Sequence, residues 1–390
     1  MKVLDEAERI FDQLVAWRRD FHRHPELGLE TYRTAGIVAE TLRGLGYDVR
    51  EGVAKSGVVA TLVNGEGPVV MSRVDMDALP IQEENAVPYA SVVPGCMHAC
   101  GHDSHTAMGL GIATLMAKHR EAWRGTVKLI FQPGEEGDNG AKIMMDEGAL
   151  EDPRPEAALA VHIWNSVPSG QMGVTPGPVM AAAEAWQATI TGKGGHGAMP
   201  EKSIDPVVVA AYTIANLQTI VSRNVNPLDT VVISVGAIHS GEAFNVIPPA
   251  AQLKGTVRSY NAQTREMVLR RMEKIVVGTA QMMGAQAELE ILPLTPALIN
   301  DARITALVQE SVATLLGREA LKVDERTMGS EDAAFFFQEI PGCYIFVGSG
   351  PIDYQDRPHH NPRFDIDEHA MVNGVAVVVD ALLRLMPARE

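Results

Sequence analysis

Apolar residues follow two different spacings along the first half of the chain. Stretches with the 3.6-residue period of an amphipathic helix alternate with short β-branched runs bounded by Gly, Pro and Asn, which are typical of strands. The pattern predicts, in chain order, helices over 5–22 and 34–45, strands over 57–63 and 68–72, a helix over 104–117, a strand over 126–131, a helix over 141–148 and a strand over 157–161. This alternation favours an α/β domain with a largely parallel sheet.

The pattern changes near residue 180 and changes back after Pro296. The middle region predicts a strand, a helix, two strands, a helix and a strand, over 186–191, 206–221, 231–235, 251–260, 264–283 and 287–292. That order is the ferredoxin-like pattern. After Pro296 a helix (304–316), a strand (343–347) and a final helix (368–385) restore the α/β alternation. We therefore predict an α/β domain made of 1–182 and 297–390, interrupted by an α+β domain made of 183–296.

Composition narrows the class of protein. The 390 residues are 46% hydrophobic and 21% charged, which is typical of a folded globular protein. A formal net charge of −16 argues against a nucleic-acid or anionic-membrane partner. Three cysteines are too few for a disulfide framework. Neither a signal peptide nor a membrane span is evident, so the sequence predicts a cytoplasmic protein.

Side chains that bind metals or transfer protons follow the predicted strands at five places. They are Asp75 and Asp77 after 68–72, the motif from Met97 to His105 ahead of its helix, Glu135 and Glu136 after 126–131, His162 after 157–161, and His359 and His360 after 343–347. The ligand crevice of an open α/β sheet lies outside the carboxyl ends of its strands. These side chains are therefore predicted to gather at one edge of the sheet.

The residue types at this edge indicate a metal site. Two adjacent carboxylates such as Glu135 and Glu136 repel each other unless a cation lies beside them. Thiolate, imidazole and carboxylate together suit zinc, with manganese, cobalt or nickel as further choices. A compact structural zinc knot is an alternative, and its ligands would be Cys96, Cys100, His102 and His105. That knot would leave the glutamate pair and the later histidines without a role, so we favour an open catalytic site.

Ordered motifs run through nearly the whole chain. They are Phe21–Leu27, Asp75–Pro80, Met97–His105, Gln132–Gly137, Gly194–Pro200, Asn245–Pro248, Gly255–Ser259, Met328–Asp332 and His360–Pro362. In these motifs the chain resembles the cocatalytic metallopeptidases that include aminoacylases, carboxypeptidase G-type enzymes and succinyl-diaminopimelate desuccinylase. Within that family it is similar to the amidohydrolase branch of hippurate hydrolases and auxin–amino-acid conjugate hydrolases.

The resemblance implies a fold and an activity. The fold would be a three-layer αβα catalytic domain of zinc-peptidase type with an inserted ferredoxin-like lid and dimerisation domain. The activity would be metal-dependent hydrolysis of the amide bond of N-acyl amino acids, giving a carboxylic acid and a free amino acid. A dipeptidase or carboxypeptidase of the same family is the alternative. The cofactors would be two divalent ions per subunit, manganese or zinc before cobalt or nickel, in a homodimer or homotetramer acting on small molecules.

The resemblance also implies roles for single residues. Cys100 would bridge two metals, with His102 and His162 completing one site and Glu136 and His360 the other. Glu135 would be the general base and Asp77 would orient a ligand histidine. From the inserted domain, His196 would stabilise the oxyanion, commonly in the partner subunit, while Asn245 and Arg258 would hold the substrate. Ala333 stands where this branch often has Phe, and it would enlarge the acyl pocket. A metal-binding protein without catalysis is disfavoured, because both Glu135 and Cys100 are present.

Overall fold

The computed structural model describes residues 2–350 and 357–387, which divide into two compact units. The first consists of Met1–Val179, Ile299–Arg326 and Asp332–Glu390, and the second of Met180–Leu298 and Thr327–Glu331. The chain thus passes between units at 179/180 and 298/299, whereas the sequence pattern places these crossings at 182/183 and 296/297. The short segment 327–331 lies in the second unit, which the pattern did not indicate. Residues 351–356, in the predicted loop before His359, lie outside the described residues.

The helices and strands are numbered in chain order. The α-helices are α1 Val3–Arg9, α2 Phe11–Arg23, α3 Tyr32–Gly44, α4 His102–Lys118, α5 Gly140–Asp146, α6 Pro206–Arg223, α7 Ala262–Met282, α8 Ala302–Leu315, α9 Ala334–Glu339 and α10 Ala370–Leu385. The strands are β1 Asp48–Val53, β2 Gly57–Asn64, β3 Val69–Asp75, β4 Gly125–Gln132, β5 Ala157–Pro168, β6 Met172–Gly173, β7 Gly177–Met180, β8 Ala182–Thr191, β9 Gly195–His196, β10 Val231–His239, β11 Val246–Ile247, β12 Ala250–Ser259, β13 Gln286–Thr295, β14 Leu298–Asn300, β15 Leu321–Lys322 and β16 Gly342–Gly350.

The first unit is built on an eight-stranded mixed sheet in the order β1-β2-β4-β3-β5-β16-β6-β15. Its four central strands, β4, β3, β5 and β16, are parallel, as the sequence predicts. Strands β1 and β2 are antiparallel, because a tight turn with positive φ at Ala54 and Lys55 joins them as a hairpin. The predicted parallel pairing is therefore confirmed at the centre of the sheet, whereas the antiparallel edge was not predicted.

Helices cover both faces of the first sheet. On one face, alternate side chains of β4 (Val127, Leu129 and Phe131) share a hydrophobic core with α4, α8 and α10. On the other face, the Lys128 ammonium donates hydrogen bonds to carbonyls that follow α5, and α5 packs against α9. The three-layer αβα architecture is confirmed. None of the helices in 2–350 and 357–387 is long and apolar enough to cross a lipid bilayer.

The second unit has a four-stranded antiparallel sheet in the order β10-β12-β8-β13. The chain runs β8-α6-β10-β12-α7-β13, so the first and third strands of the motif lie side by side at the centre. Helices α6 and α7 contact each other and pack on the sheet over a core that includes Trp186, Leu253 and Met272. The ferredoxin-like expectation is confirmed for this unit.

A buried arginine joins three parts of the first unit. The Arg18 side chain is fully buried on α2, and its guanidinium binds Asp103 at 2.9 Å, Asp365 at 3.1 Å and Glu368 at 3.2 Å. Asp103 also accepts a hydrogen bond from the His22 ring at 2.8 Å. Since Asp103 lies in the first turn of α4, this ion cluster fixes the start of that helix against α2 and the C-terminal segment.

The ion cluster generates a prediction about stability. Replacing Arg18 with Met should lower the free energy of unfolding by about 3–5 kcal/mol, because it leaves buried carboxylates without their cation. The matched control is Arg19→Met, since Arg19 binds the same Glu368 at 2.7 Å from an exposed position and should cost less than about 1 kcal/mol. Urea unfolding followed by circular dichroism measures both, and equal losses would contradict a special role for Arg18.

Candidate metal centre

The carboxyl ends of the central strands converge where the strand order reverses. The chain places β4 on one side of β3 and β5 on the other, which makes the gap between β3 and β5 a topological switch point. Helix α4 begins at His102, directly after Gly101, whose φ is +90°. Glycine adopts this left-handed conformation without strain, and it turns the chain between Cys100 and His102. The local backbone thus presents both side chains at the same crevice.

The structure brings the five predicted ligands into two overlapping groups. Cys100, His102 and His162 form one group, and Cys100, Glu136 and His360 form the other, with the ligand atoms of each group within 4.8 Å of one another. Cys100 Sγ lies 3.6 Å from His162 Nε2, and His360 Nε2 lies 3.1 Å from Glu136 Oε1. Because Cys100 belongs to both groups, its sulfur has the location that a bridging ligand requires.

Unsatisfied polar atoms indicate that this cluster fits a cation. Both ring nitrogens of His102 are buried without a hydrogen-bond partner, and the buried Oε1 of Glu136 has an ion-pair contact with His360 Nε2 but no hydrogen bond. Such groups are rare in folded proteins because burying them unpaired is costly. His162 donates from Nδ1 to the Ile163 carbonyl at 2.6 Å, which leaves its Nε2 lone pair facing Cys100. A divalent ion bound by sulfur, imidazole and carboxylate would take one nitrogen of each ring and the Glu136 oxygen as ligands.

The electrostatics of the cluster also favour a cation. Burial alone would lower the pKa of His102, but the carboxylates of Asp75, Asp77 and Glu136 raise it to about 10. Burial, together with the carboxylates of Glu136, Glu135 and Asp75, raises the pKa of the Cys100 thiol well above its usual range. Burial lowers the pKa of His162, which keeps that ring neutral and able to act as a ligand. The crevice therefore has excess negative charge, and a metal ion would balance it.

Asp77 fixes the turn that carries the glutamate pair. Its two carboxylate oxygens accept the backbone N–H groups of Glu135 and Glu136, each at 3.0 Å. Its Oδ1 also lies 3.5 Å from His102 Nδ1. One carboxylate thus faces a candidate ligand histidine, as the sequence predicts. It also holds the candidate base through its main chain, a contact that sequence motifs do not indicate.

Asp75 and His105 are engaged with protein partners. Asp75 Oδ1 accepts from His105 Nδ1, and Asp75 Oδ2 accepts from Arg73 at 2.7 Å. His105 Nε2 accepts the Ile163 backbone N–H at 2.8 Å. Both ring nitrogens of His105 are therefore occupied, which disfavours the alternative zinc knot. Cys96, another member of that knot, belongs to none of the ligand groups found among the described residues.

The predicted residues of the inserted domain do not form one cluster within the second unit. His196 on β9 pairs with Val246 on β11, and the Asn245 carbonyl accepts the Gly197 N–H at 2.8 Å. Arg258 pairs with Ala183, at the opposite end of β8 from the segment that leads to His196. The length of β8 separates the two ends by roughly 25 Å. His196 and Asn245 are thus neighbours, whereas Arg258 lies apart from them.

Two features of the centre were not predicted from the sequence. His360 has a φ of +62°, an uncommon conformation for histidine, and its N–H donates to the Ala99 carbonyl beside Cys100. Arg73 is fully buried in β3, where it also binds Gln132 and Asp332. A charged residue inside an apolar run was the signal for Arg73. No local pattern marks His360, because its conformation depends on a hydrogen bond to a distant segment.

Comparison with known proteins agrees with this geometry. The model of Peptidase family M20/M25/M40 matches residues 71–384. The chain is 36% identical to N-acetyl-L-cysteine deacetylase of Bacillus subtilis, over 97% of this chain and 89% of the relative. It is 38% identical to IAA-amino acid hydrolase ILR1-like 2 of Arabidopsis thaliana, over 96% of this chain and 86% of the relative.

A solved structure supports the same assignment. The Bacillus subtilis YXEP protein, described as a dinuclear metal-binding peptidase of the M20 family, superposes with a TM-score of 0.86 and 32% identity over 97% of this chain and 99% of that one. The match of the family model, the end-to-end similarity and the fold lead to one conclusion. The chain belongs to peptidase family M20/M25/M40 and is a hydrolase of that family.

Proposed function

We propose that the protein hydrolyses the amide bond of N-acyl amino acids with two divalent cations bound at the Cys100 cluster. The observation that carries this proposal is the overlap of two ligand groups at one buried sulfur, with Glu135 beside them. His102 and His162 would complete one site, and Glu136 and His360 the other. Manganese or zinc would be the ion, before cobalt or nickel, because the ligand set mixes thiolate, imidazole and carboxylate. When bound, the pair supplies Lewis-acid polarisation and an acidified water.

Glu135 is the residue that would move the proton. Its backbone is fixed by Asp77, and its carboxylate lies within 4.8 Å of ligand atoms of His102 and Glu136 without belonging to either overlapping group. A carboxylate in this location accepts the proton of the attacking water and then donates it to the leaving amine. The tetrahedral intermediate collapses as the C–N bond breaks, which releases the carboxylic acid and the free amino acid.

The substrate class rests on the relatives and on the surroundings of Glu136. The two curated relatives are named for an N-acetyl amino acid and for an acyl–amino-acid conjugate. In the first unit, a cleft of about 350 Å³ reaches Glu136, and its lining combines Leu27, Leu29 and Pro80 with the charged residues Glu30, Lys55 and Asp138. An acyl group would contact the apolar part of this lining. Ala333 is fully buried at the start of α9. Its burial gives no support to the expectation that it enlarges the acyl pocket.

A second copy of the chain would supply part of the active site. Arg258 and His196 lie at opposite ends of β8, so one copy of the second unit cannot present both to the same small substrate. His196 Nδ1 accepts the Ala198 N–H at 3.1 Å, which leaves Nε2–H as the donor for an oxyanion. Phe244, beside Asn245, is fully exposed, and a partner surface would cover it. We therefore propose a homodimer, or a homotetramer built from it.

The cellular location is part of the same proposal. All three cysteines, Cys96, Cys100 and Cys343, are buried free thiols. A free thiol that serves as a metal ligand is best kept in a reducing compartment. We infer a cytoplasmic location on this ground.

The proposal predicts a substrate order. Protein loaded with manganese or zinc should release amino acids from N-acetyl, N-benzoyl and indole-3-acetyl amino acids faster than from dipeptides, because the two relatives are named for acylated amino acids and Leu27, Leu29 and Pro80 offer an acyl group apolar contacts. Comparing kcat/KM for the two substrate classes measures this order. Faster cleavage of dipeptides would favour the peptidase alternative, and inactivity of the metal-loaded protein on every substrate would exclude both.

Changing the proposed base should separate catalysis from metal binding. Glu135→Gln should lower kcat by about 10²–10⁴-fold, the range typical of a lost general acid–base residue, while the metal content stays unchanged. Glu136→Gln is the contrasting variant, since it changes a proposed ligand and should lower the metal content itself. Elemental analysis and steady-state kinetics on the same samples distinguish the two. Retained turnover in Glu135→Gln would remove Glu135 from the base role.

Mixed dimers test whether two chains share one site. Glu135→Gln and His196→Ala should each be nearly inactive alone, the second by about 10²–10³-fold as for a lost oxyanion donor. After unfolding and refolding an equal mixture, random pairing should restore about a quarter of the wild-type sites, because each mixed dimer of two-fold symmetry has one intact site. No recovery in a mixture shown to contain mixed dimers would mean that His196 acts within its own chain.

A further inference from the structure

The pairing between strands β3 and β5 ends at Ala160, two residues before the proposed ligand His162. The pairing of β3 with β5 runs from Val70–Ala157 to Arg73–Ala160 and stops there. On the other side, β16 continues to pair with β5 past Ile163. Splayed strands at a switch point leave main-chain groups on the open side without a ladder partner. Buried N–H and C=O groups of this kind need another partner.

Three histidine side chains bind the Ile163 main chain on that side. The Ile163 N–H donates to His105 Nε2 at 2.8 Å. The Ile163 carbonyl accepts from His162 Nδ1 at 2.6 Å and from His359 Nε2 at 2.9 Å. Two of these histidines are tied to the candidate ligands, because His162 is itself a ligand and His359 precedes His360. The main chain of one residue therefore contacts the supports of both ligand groups.

His105 is held in turn by a buried chain of charges. Its Nδ1–H donates to Asp75, which binds Arg73, and Arg73 binds Asp332 at 3.2 Å. Asp332 Oδ2 also accepts the Ala141 N–H at 2.9 Å, at the start of α5. The imidazole of His105 and the carboxylate of Asp75 are fully buried. These contacts fix the ring in one tautomer, so its Nε2 always faces the Ile163 N–H as an acceptor.

We propose that the main chain of Ile163 is the common support of both ligand groups, and that His105 is the positioning residue that holds it. The inference rests on the proposed function in that the supported side chains are the proposed metal ligands. His105 acts through the hydrogen bond from Nε2, which fixes the end of β5 and thereby the direction of His162 Nε2. Through the Ile163 carbonyl, the same support reaches His359 and the loop that carries His360.

Two amide substitutions separate the two hydrogen bonds of His105. The amide of Gln can place an acceptor near the position of Nε2, whereas the amide of Asn places a donor near the position of Nδ1. His105→Gln therefore keeps the bond to Ile163, and His105→Asn keeps only the bond to Asp75. Thr106→Val is a matched control on the same helix, since it removes a hydrogen bond to the Asp75 carbonyl but none to Ile163.

The measurements need no substrate. In metal-free protein, hydrogen exchange at the Ile163 amide should accelerate in His105→Asn and stay slow in His105→Gln and Thr106→Val. Affinity for cobalt(II), followed by the sulfur-to-cobalt charge-transfer band of Cys100 and by chelator competition, should fall about 10–100-fold in His105→Asn. In the other two variants it should stay within a few-fold of wild type. Equal losses in the Asn and Gln variants, or no loss in either, would overturn the inference.

Variants of His359 provide an independent test if His105→Asn fails to fold. His359→Gln can still donate to the Ile163 carbonyl, whereas His359→Leu cannot, so cobalt affinity should fall only in the Leu variant. Equal affinities for those two variants would overturn the shared support. A different result would contradict the proposed function. A wild-type protein that binds cobalt tightly and shows the expected order of variants, yet hydrolyses no amide, would contradict the activity while supporting the role of Ile163.

Discussion

Negative charge buried at the carboxyl ends of β3, β4 and the start of α4 is the constraint on which the first unit depends. A buried carboxylate is tolerated only with a cation or several hydrogen bonds beside it. The chain supplies its own cations for some of these groups: Arg73 for Asp75, and Arg18 for Asp103. It supplies hydrogen bonds from the backbone for Asp77. Near Cys100, the Oε1 of Glu136 instead lies 3.1 Å from His360 Nε2 and 4.0 Å from His102 Nε2, two rings that are themselves proposed to bind metal. This difference separates the structural acids from the proposed metal ligand.

The sequence predicted those parts of the structure that depend on local patterns. Apolar period and turn residues identified the central strands and the ferredoxin-like insertion. From the rule that strand ends gather at one edge, the sequence predicted that Cys100, His162 and Glu136 lie together. Their roles stay predictions, since grouping alone does not test them. The pattern failed to predict β1, because its side chains are mostly exposed and give no apolar signal. It also predicted one helix over 5–22, whereas the chain forms two helices that are divided at Ile10.

Other features could not be predicted because they arise from strand register. That Ile163 lacks a partner from β3 follows from pairing that stops at Ala160, a property of two strands more than eighty residues apart. The separation of Arg258 from His196 likewise follows from their positions along β8 in the folded sheet. Motif matching assigns both residues to one active site. Their register on the sheet is the reason for the proposal that two chains contribute to that site.

The hydrogen bonds around Ile163 bear on how the protein would acquire the proposed metal ions. Ligand side chains that the polypeptide already orients lose little conformational entropy when a cation arrives, so coordination does not have to drive folding as it does in a zinc finger. Loading and unloading can then proceed on a folded chain. For such a chain the ion that occupies the crevice is decided by supply and exchange in the cell as much as by affinity. An apoprotein of this kind would keep its fold between the loss of one ion and the binding of the next.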